Sequence, residues 1–74
     1  ELFALLKAKR RELASKYNKP PFIIFADVTL RDMSARQPKN LEEFLLVSGV
    51  GTFKAKKYGD DFLQVIAYYL KKRS

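Results

Sequence analysis

Two glycines and the lysines that follow them have the types and the spacing of a phosphate-binding corner. They lie in the stretch LVSGVGTFKAKKYG, and the residues concerned are Gly49, Gly51, Lys54, Lys56 and Lys57. Glycines at such a corner permit a tight reversal and expose backbone amides beside the start of a helix, where a phosphate oxygen can be bound. The lysines, one helical turn later, could hold neighbouring phosphates. The corner is therefore a candidate contact for a polyanion.

The same corner also has a purely structural interpretation, because two closely packed helices need small residues at their junction. It does not match a P-loop, which requires Gly-Lys-Ser/Thr after four spaced residues. It does not match the dinucleotide fingerprint either, because Lys54 stands where a third glycine is needed. The remaining match is to a helix-hairpin-helix, in which two helices are joined by a turn such as Gly-Val-Gly. This motif grips the DNA backbone without reading its sequence.

No group of residues has the pattern of a catalytic or metal centre. The chain has no histidine and no cysteine, so the usual zinc ligands and nucleophile–base pairs are missing. The adjacent acids Glu42-Glu43 and Asp60-Asp61 would point about 100° apart on a helix, so they cannot converge as an acid and a base. We predict no catalytic residue, no metal site and no cofactor in this chain.

The composition is that of a small basic domain. The 74 residues suffice for one domain, and the net charge of +7 favours a polyanionic partner such as nucleic acid. Alternatively, the lysines only keep a small domain soluble. We expect neither a membrane span nor a signal peptide in these residues, and the lack of tryptophan argues against a bundle bound at a membrane surface. The chain has no initiator methionine, so we expect residues 1–74 to be one domain excised from a larger protein.

The first quarter of the chain predicts an amphipathic helix over residues 2–18. At about 100° per residue, one face collects the apolar residues Leu2, Leu6, Leu13 and Tyr17. Pro20-Pro21 must end this helix. The following Phe-Ile-Ile-Phe block, residues 22–25, is short and has no partner strand, so we predict a single turn of tight helix there.

Two short helices are predicted next, each from a capping signal. Asp27 is a suitable N-cap for a helix from Val28 to about Arg36. Val28, Leu30 and Met33 are predicted to form the apolar side of this helix. Asn40 and Glu43 match a capping box for a helix over residues 41–47. The core candidates of that helix are Phe44, Leu45 and Val47.

The last part of the chain predicts two more helices separated by a glycine. One runs from Thr52 to Tyr58, and Gly59 is a plausible left-handed cap at its end. Asp60 and Asp61 suit the start of the final helix, because carboxylates complement the helix dipole there. The main stripe of the final helix is Phe62, Val65, Ile66 and Tyr69. The whole chain predicts an all-α bundle of about five short helices with a Pro-Pro turn and a Gly-Val-Gly corner.

The order of these motifs resembles one known family. The chain carries Leu-Phe-x-x-Leu at residues 2–6, Pro-Pro-Phe-Ile-Ile-Phe-x-Asp at 20–27, Thr-Leu-x-x-Met at 29–33 and Leu-x-Val-x-Gly-Val-Gly-x-x-Lys-x-x-x-Tyr-Gly at 45–59. Together they look like an HRDC domain, the helicase-and-RNase-D C-terminal module. The second and fourth motifs look most like those of bacterial RecQ helicases. The HRDC domain of an RNase D-like nuclease is the alternative within the family.

The resemblance implies an accessory domain of a cytoplasmic, ATP-dependent DNA helicase, with ATP and magnesium confined to the motor domain of the parent protein. HRDC domains of this kind are expected to bind single-stranded or branched DNA as monomers, and so to tune substrate choice. In bacterial relatives the first helix and the turn after Pro-Pro form the binding face. This face carries over to Lys7, Lys9, Arg10, Arg11, Lys16, Lys19 and Phe22.

Two alternatives remain at this stage. Some HRDC domains bind nucleic acid poorly and instead dock on the helicase core or on a partner protein, which would require an exposed apolar patch. The ring of Phe22 could stack on bases or pack in the core, and Tyr68 is a second exposed-aromatic candidate with the same ambiguity. Asp27 matches the family's aspartate and is interpreted as a helix cap.

Overall fold

The computed structural model describes residues 1–73 and places them in five α-helices. In chain order these are α1 (Leu2–Tyr17), α2 (Pro21–Ile24), α3 (Asp27–Arg36), α4 (Leu41–Phe44) and α5 (Thr52–Arg73). The part of the chain that the structure describes contains no strand, so the prediction of an all-α bundle is confirmed. The count of about five helices also agrees, but the set differs, because the predicted single turn is α2 and the last two predicted helices are one helix, α5.

α1 ends at a left-handed residue, and the Pro-Pro pair then starts α2. Asn18 has a φ of 55°, and the amide of Lys19 donates to the carbonyl of Ala14 at 2.9 Å. Asparagine adopts this conformation more readily than most non-glycine residues. Pro21 is the first residue of α2, where its missing amide proton costs nothing. The single helical turn predicted for residues 22–25 is confirmed, with a start one residue earlier.

Asp27 is not the N-cap of α3, and this prediction was wrong. The N-cap is Ala26, which makes no side-chain hydrogen bond, and Asp27 is the first helical residue. The Asp27 carboxylate lies 2.7 Å from Nη1 of Arg10 on α1. The ion pair with Arg10 is a stronger interaction for the Asp27 carboxylate than hydrogen bonds to the free backbone amides at the start of α3.

Val28 was also misplaced, since its side chain is 65% exposed. Leu30 and Met33 are buried as predicted, and Thr29 is buried beside them. On a helix, Val28 lies about 140 to 160° around the axis from both Leu30 and Met33, so it cannot share their face.

The capping box at the start of α4 is confirmed with one shift. The Glu43 amide donates to Oδ1 of Asn40 at 2.9 Å. The Glu43 carboxylate reaches back to the amide of Lys39, one residue beyond the amide that the motif usually binds. The helix is shorter than predicted and ends at Phe44. Turns continue to residue 49, which buries Val47 but leaves Leu45 exposed.

α5 is one continuous helix, so the predicted break at Gly59 was wrong. Gly59 lies inside the helix, and Asp60 and Asp61 follow it there rather than starting a new one. The buried stripe continues across the glycine as Ala55, Tyr58, Phe62 and Ile66. A Cβ atom at Gly59 would lie 3.1 Å from Cδ1 of Leu41. The glycine therefore serves the close approach of α4 to α5, at a cost of about 1 kcal/mol of helix propensity.

The core is centred on aromatic rings from four helical segments. The Phe25 ring makes edge-to-face contacts with Phe44, Tyr58 and Phe62, at centroid distances of 6.1, 6.0 and 5.3 Å. α1 packs against α2, α3 and α5, and α4 packs against α5. The Tyr17 ring at the end of α1 meets the Tyr58 ring at 5.7 Å. This contact brings the end of α1, α2 and the first half of α5 to the same end of the bundle.

Candidate nucleic-acid interface

Arg10 is occupied by partners within the domain. Its Nη1 atom donates to the carbonyl of Phe25 at 3.0 Å and lies 2.7 Å from the Asp27 carboxylate. This hydrogen bond from Arg10 lowers the pKa of Asp27. Arg10 therefore joins α1 to the segment between α2 and α3, and its guanidinium has a structural role whatever else it contacts.

The other cations of α1 divide between two sides of the helix. At about 100° per residue, Lys7 and Arg11 fall on one side and Lys9 and Lys16 on the other. Lys7 Nζ lies 4.9 Å from the centroid of the Phe3 ring, and Lys9 pairs with Glu12 at 3.2 Å. The predicted first-helix residues consequently do not form one continuous basic face.

One side of α1 borders a groove of about 500 Å³ beside the Pro-Pro turn. This Pro-Pro groove is lined by Arg11, Ala14, Ser15, Asn18, Lys19, Pro20 and Pro21. Phe22, the next residue, has a side chain that is 66% exposed, so its ring is not part of the core. An exposed ring one residue beyond a groove that carries two cations suits a base and its flanking phosphates.

The other side of α1 borders a groove of about 280 Å³ against α5. This α1–α5 groove is lined by Leu5, Ala8, Lys9, Glu12, Asp61, Gln64, Val65 and Tyr68. Tyr68 is 57% exposed, and Lys72 Nζ lies 5.8 Å from its ring centroid. The carboxylates of Glu12 and Asp61 repel phosphate, which makes this groove the less favourable of the two for a nucleic acid.

A lysine among aromatic rings stands near the start of α5. Lys57 Nζ lies 4.8 Å from the ring centroid of Tyr17, 5.6 Å from that of Phe53 and 5.7 Å from that of Tyr58. Lys54 lies over Phe25 at 5.9 Å. Phe53 is 72% exposed, and the sequence analysis missed it. Its position in the sequence could have indicated a role, because Phe53 lies two residues after Gly51 and four residues before Lys57. Residues four apart lie next to each other on the surface of a helix.

The backbone amide that directly precedes the Gly-Val-Gly corner already binds a carboxylate. Gly49 has a φ of 85°, and Val50 packs partly against the core. The Ser48 amide donates to Oδ2 of Asp32 at 2.8 Å, and Arg36 Nε donates to the same oxygen at 2.8 Å. These hydrogen bonds lower the pKa of Asp32, with Ser48 as the larger cause. At Gly51 no atom lies within 4 Å of the Cβ position, so the second glycine faces open space.

The lowered pKa of Asp32 predicts a loss of stability in acid. A carboxyl group with a depressed pKa in the folded state stabilises the fold above its unfolded pKa and loses that contribution as the pH falls through the folded value. Asp32→Asn should therefore unfold at a lower temperature than the parent at pH 7, and this difference in melting temperature should close as the pH falls below 3.8 and the Asp32 carboxyl group becomes protonated in the folded state. Circular dichroism melting curves across this range measure the gap, with Asp60→Asn as the control for a single lost charge. A gap independent of pH would contradict this account.

Two further features bear on the site. Among the described residues, no group of His, Cys, Asp or Glu is arranged to hold a metal ion. Within the same residues, no helix is long and apolar enough to cross a membrane.

The fold and these surfaces define a small basic all-α domain with exposed aromatic rings, and comparison with known proteins identifies its family. The HRDC domain family matches residues 1–66, and the chain belongs to that family. A solved structure, D. radiodurans RecQ HRDC domain 3, superposes with a TM-score of 0.91 at 35% identity and covers 93% of this chain and 91% of that one.

The curated relatives are helicases of much greater length. The chain is 46% identical over 71 residues to the ATP-dependent DNA helicase RecQ of Bacillus subtilis, and 38% identical over 71 residues to that of Pasteurella multocida. Each alignment covers 96% of this chain but only 12% and 11% of the respective helicase. The ATP-dependent DNA helicase UvrD2 of Mycobacterium tuberculosis is 32% identical over 66 residues, which is 89% of this chain and 9% of that protein. The chain thus spans about an eighth of the RecQ proteins that it matches.

Proposed function

We propose that this HRDC domain is an accessory nucleic-acid-binding module of a RecQ-type, ATP-dependent DNA helicase. It binds single-stranded or branched DNA through basic residues, largely without sequence preference, and thereby tunes which substrates the helicase engages. ATP and magnesium act in the motor domain of the parent protein, which works in the bacterial cytoplasm. The domain itself contributes binding, as a monomer, and no catalytic group.

The observation that carries the proposal is the exposed ring of Phe22 at the Pro-Pro groove. A phenylalanine that is 66% exposed is uncovered apolar surface, and it directly follows Pro21 of the groove that Arg11 and Lys19 line. Stacking on an aromatic ring tolerates every base, and cations beside it neutralise the phosphates on either side. The net charge of +7 adds a long-range attraction for any polyanion.

A second candidate function, docking on a protein, is favoured by the apolar side chains around the end of α4. Leu46 is 66% exposed, and Leu41 and Leu45 are exposed as well. A docking domain would bury these leucines against the helicase core or a partner. It would show little DNA binding that depends on salt.

A salt titration of DNA binding decides between the two functions. The domain should bind a fluorescent single-stranded oligonucleotide at low salt, and log K should fall linearly with log salt concentration. Arg11→Ala with Lys19→Ala should reduce the magnitude of that slope by about 1.4, because each lost phosphate contact on a single strand removes about 0.7. Phe22→Ala should weaken binding by about fivefold or more at an unchanged slope, since stacking releases no counterion.

The matched control is Lys71→Ala with Lys72→Ala at the far end of α5, which removes the same charge from an exposed site. It should change the slope much less than the groove variant does. Duplex and forked DNA run in parallel show which strand structure is preferred. No binding even at low salt would overturn the DNA-binding function in favour of docking. Equal effects of the two charge-matched variants would show that the Pro-Pro groove is not the DNA-binding site.

A further inference from the structure

Phe53 is an exposed aromatic residue to which the established family relationship assigns no role. Its side chain is 72% exposed, a larger fraction than that of Phe22 or Tyr68. It lies in the first turn of α5, and Lys57 stands four residues later, with its Nζ atom 5.6 Å from the Phe53 ring centroid. A ring with a cation beside it has the two components of a nucleotide contact, one for the base and one for the phosphate.

Lys57 also lies near a ring of α1 and a second ring of its own helix. The rings of Tyr17 and Tyr58 also lie within 6 Å of its Nζ atom, at 4.8 and 5.7 Å. Within residues 1–73, Lys57 makes no ion pair, so its charge is not neutralised by a carboxylate. Contacts with several rings restrict the rotamers of a lysine, so that it loses less conformational entropy on binding an anion than a freely rotating one does.

Phe53 and Phe22 belong to the same end of the bundle. Lys54, next to Phe53, lies 5.9 Å from the ring of Phe25, and Phe25 is the residue that ends α2. Tyr17 at the end of α1 touches the same part of α5. The end of α2 meets α5 through the contacts of the Phe25 ring with Tyr58 and Phe62. Cations of these segments include Arg11 and Lys19 in the Pro-Pro groove, and Lys16, Lys54 and Lys57 near the rings of Tyr17 and Phe25.

We propose that Phe53 is a second base-stacking position for single-stranded nucleic acid, and that Lys57 binds the phosphate beside that base. This inference rests on the proposed function and extends it from the Pro-Pro groove to the start of α5. The phosphate contact belongs to the lysine side chain, because the corner before α5 already carries the Asp32 carboxylate on the Ser48 amide. A strand crossing this end would stack one base on Phe22 and another on Phe53.

Tyr68 provides the comparison within the same helix. It is also an exposed aromatic with a lysine four residues later, since Lys72 Nζ lies 5.8 Å from its ring. It differs in its surroundings, because the groove at Tyr68 contains the carboxylates of Glu12 and Asp61. If exposure and an adjacent lysine were sufficient for binding, both positions would respond to DNA. The proposal requires a response at Phe53 and little or none at Tyr68.

The chain contains no tryptophan, so a single substitution creates a specific fluorescent probe. We would prepare Phe53→Trp, Phe22→Trp and Tyr68→Trp, and titrate each with an unlabelled single-stranded oligonucleotide at low salt. Stacking of a base on the indole should quench the emission of the Phe53 and Phe22 variants by about half or more at saturation, and leave the Tyr68 variant nearly unchanged. All three positions are exposed, so folding is retained, and circular dichroism verifies it.

Affinity measurements on two other variants complete the test. Phe53→Leu keeps an apolar side chain but removes the ring, and should weaken binding several-fold at an unchanged salt slope. Lys57→Gln should reduce the slope by about 0.7, the value for one phosphate contact on a single strand.

The outcomes separate this inference from the function on which it rests. If the Phe22 probe is quenched and the Phe53 probe is not, the inference fails while the proposed function stands. If the Phe53 and Tyr68 probes are quenched equally, the specific site at Phe53 is overturned. If the parent domain does not bind DNA even at low salt, the proposed function fails and this inference fails with it.

Discussion

Phe25→Ala should lower the free energy of unfolding by about 3 to 5 kcal/mol, the largest effect expected of a single substitution in this domain. The Phe25 side chain is 1% exposed and meets three aromatic rings edge to face, those of Phe44, Tyr58 and Phe62. Alanine would remove all three contacts and leave a cavity where segments from α2, α4 and α5 meet. Small domains have little stability to spare, so much of the protein should unfold at physiological temperature.

Urea denaturation followed by circular dichroism measures this loss, and Phe22→Ala is the matched control. The two phenylalanines are three residues apart, but Phe22 is 66% exposed, so its replacement should change the free energy of unfolding by less than about 0.5 kcal/mol. The order should reverse for DNA binding, where the exposed ring matters and the buried one does not. Equal destabilisation by both substitutions would mean that the core is not organised around Phe25.

Gly49→Ala should cost about 2 to 5 kcal/mol, from two separate causes. Gly49 has a φ of 85°, a conformation that a residue with a Cβ atom adopts only at a cost. A Cβ atom there would also collide with Oγ1 of Thr29, which is buried on α3 and has little room to move. The corner would have to shift away from α3, and the hydrogen bond from Ser48 to Asp32 would be strained or lost.

The two causes can be separated with a second substitution. Thr29→Ala removes the oxygen that a new Cβ atom would meet, so Gly49→Ala should cost less in a Thr29→Ala background than in the parent, and the remainder is the backbone cost. Gly51→Ala is the control, since no atom lies within 4 Å of its Cβ position, and it should change stability by less than about 0.5 kcal/mol. An effect of Gly49→Ala no larger than that of Gly51→Ala would show that the corner is not constrained at Gly49.

Local signals predicted the parts of the fold that depend on local interactions. Asn40 caps α4 through its own side chain, and Pro20 and Pro21 separate α1 from α2 through their ring geometry. Each of these effects operates within a few residues, so it can be inferred without knowing what packs nearby.

The errors occurred where a distant segment decided the local structure. A glycine followed by two aspartates is a good helix end by itself, but at Gly59 the approach of Leu41 and the continuing apolar stripe keep α5 intact. Asp27 is a good N-cap by itself, but Arg10 of α1 takes its carboxylate. Neither partner is near in sequence, and tertiary contacts outweigh capping preferences of about 1 kcal/mol.

For the candidate site, the sequence indicated the residue types, which are aromatic rings and cations. It was a poorer guide to how these residues are arranged on the surface. The exposed position of Phe22 agrees with a role in stacking. The cations of α1, by contrast, are spread around the helix, and Arg10 is tied into the fold. Phe53 was missed because an apolar residue near a helix start is usually assigned to the core, and only the packing of α5 shows that this ring faces water.

The packing of α1 on α5 also has a consequence for the synthesis of the domain. Leu2, Leu6 and Leu13 of α1 are buried in the same core as Phe62 and Ile66 of α5, about 50 to 60 residues later in the chain. A ribosome adds about 5 to 20 residues per second, so the apolar stripe of α1 has no α5 to cover it for about 3 to 12 s. We expect repulsion between the cations of α1 on different nascent chains to oppose their association during that interval. The lysines and arginines proposed to attract a polyanion in the finished domain would in this way also disfavour aggregation before it has folded.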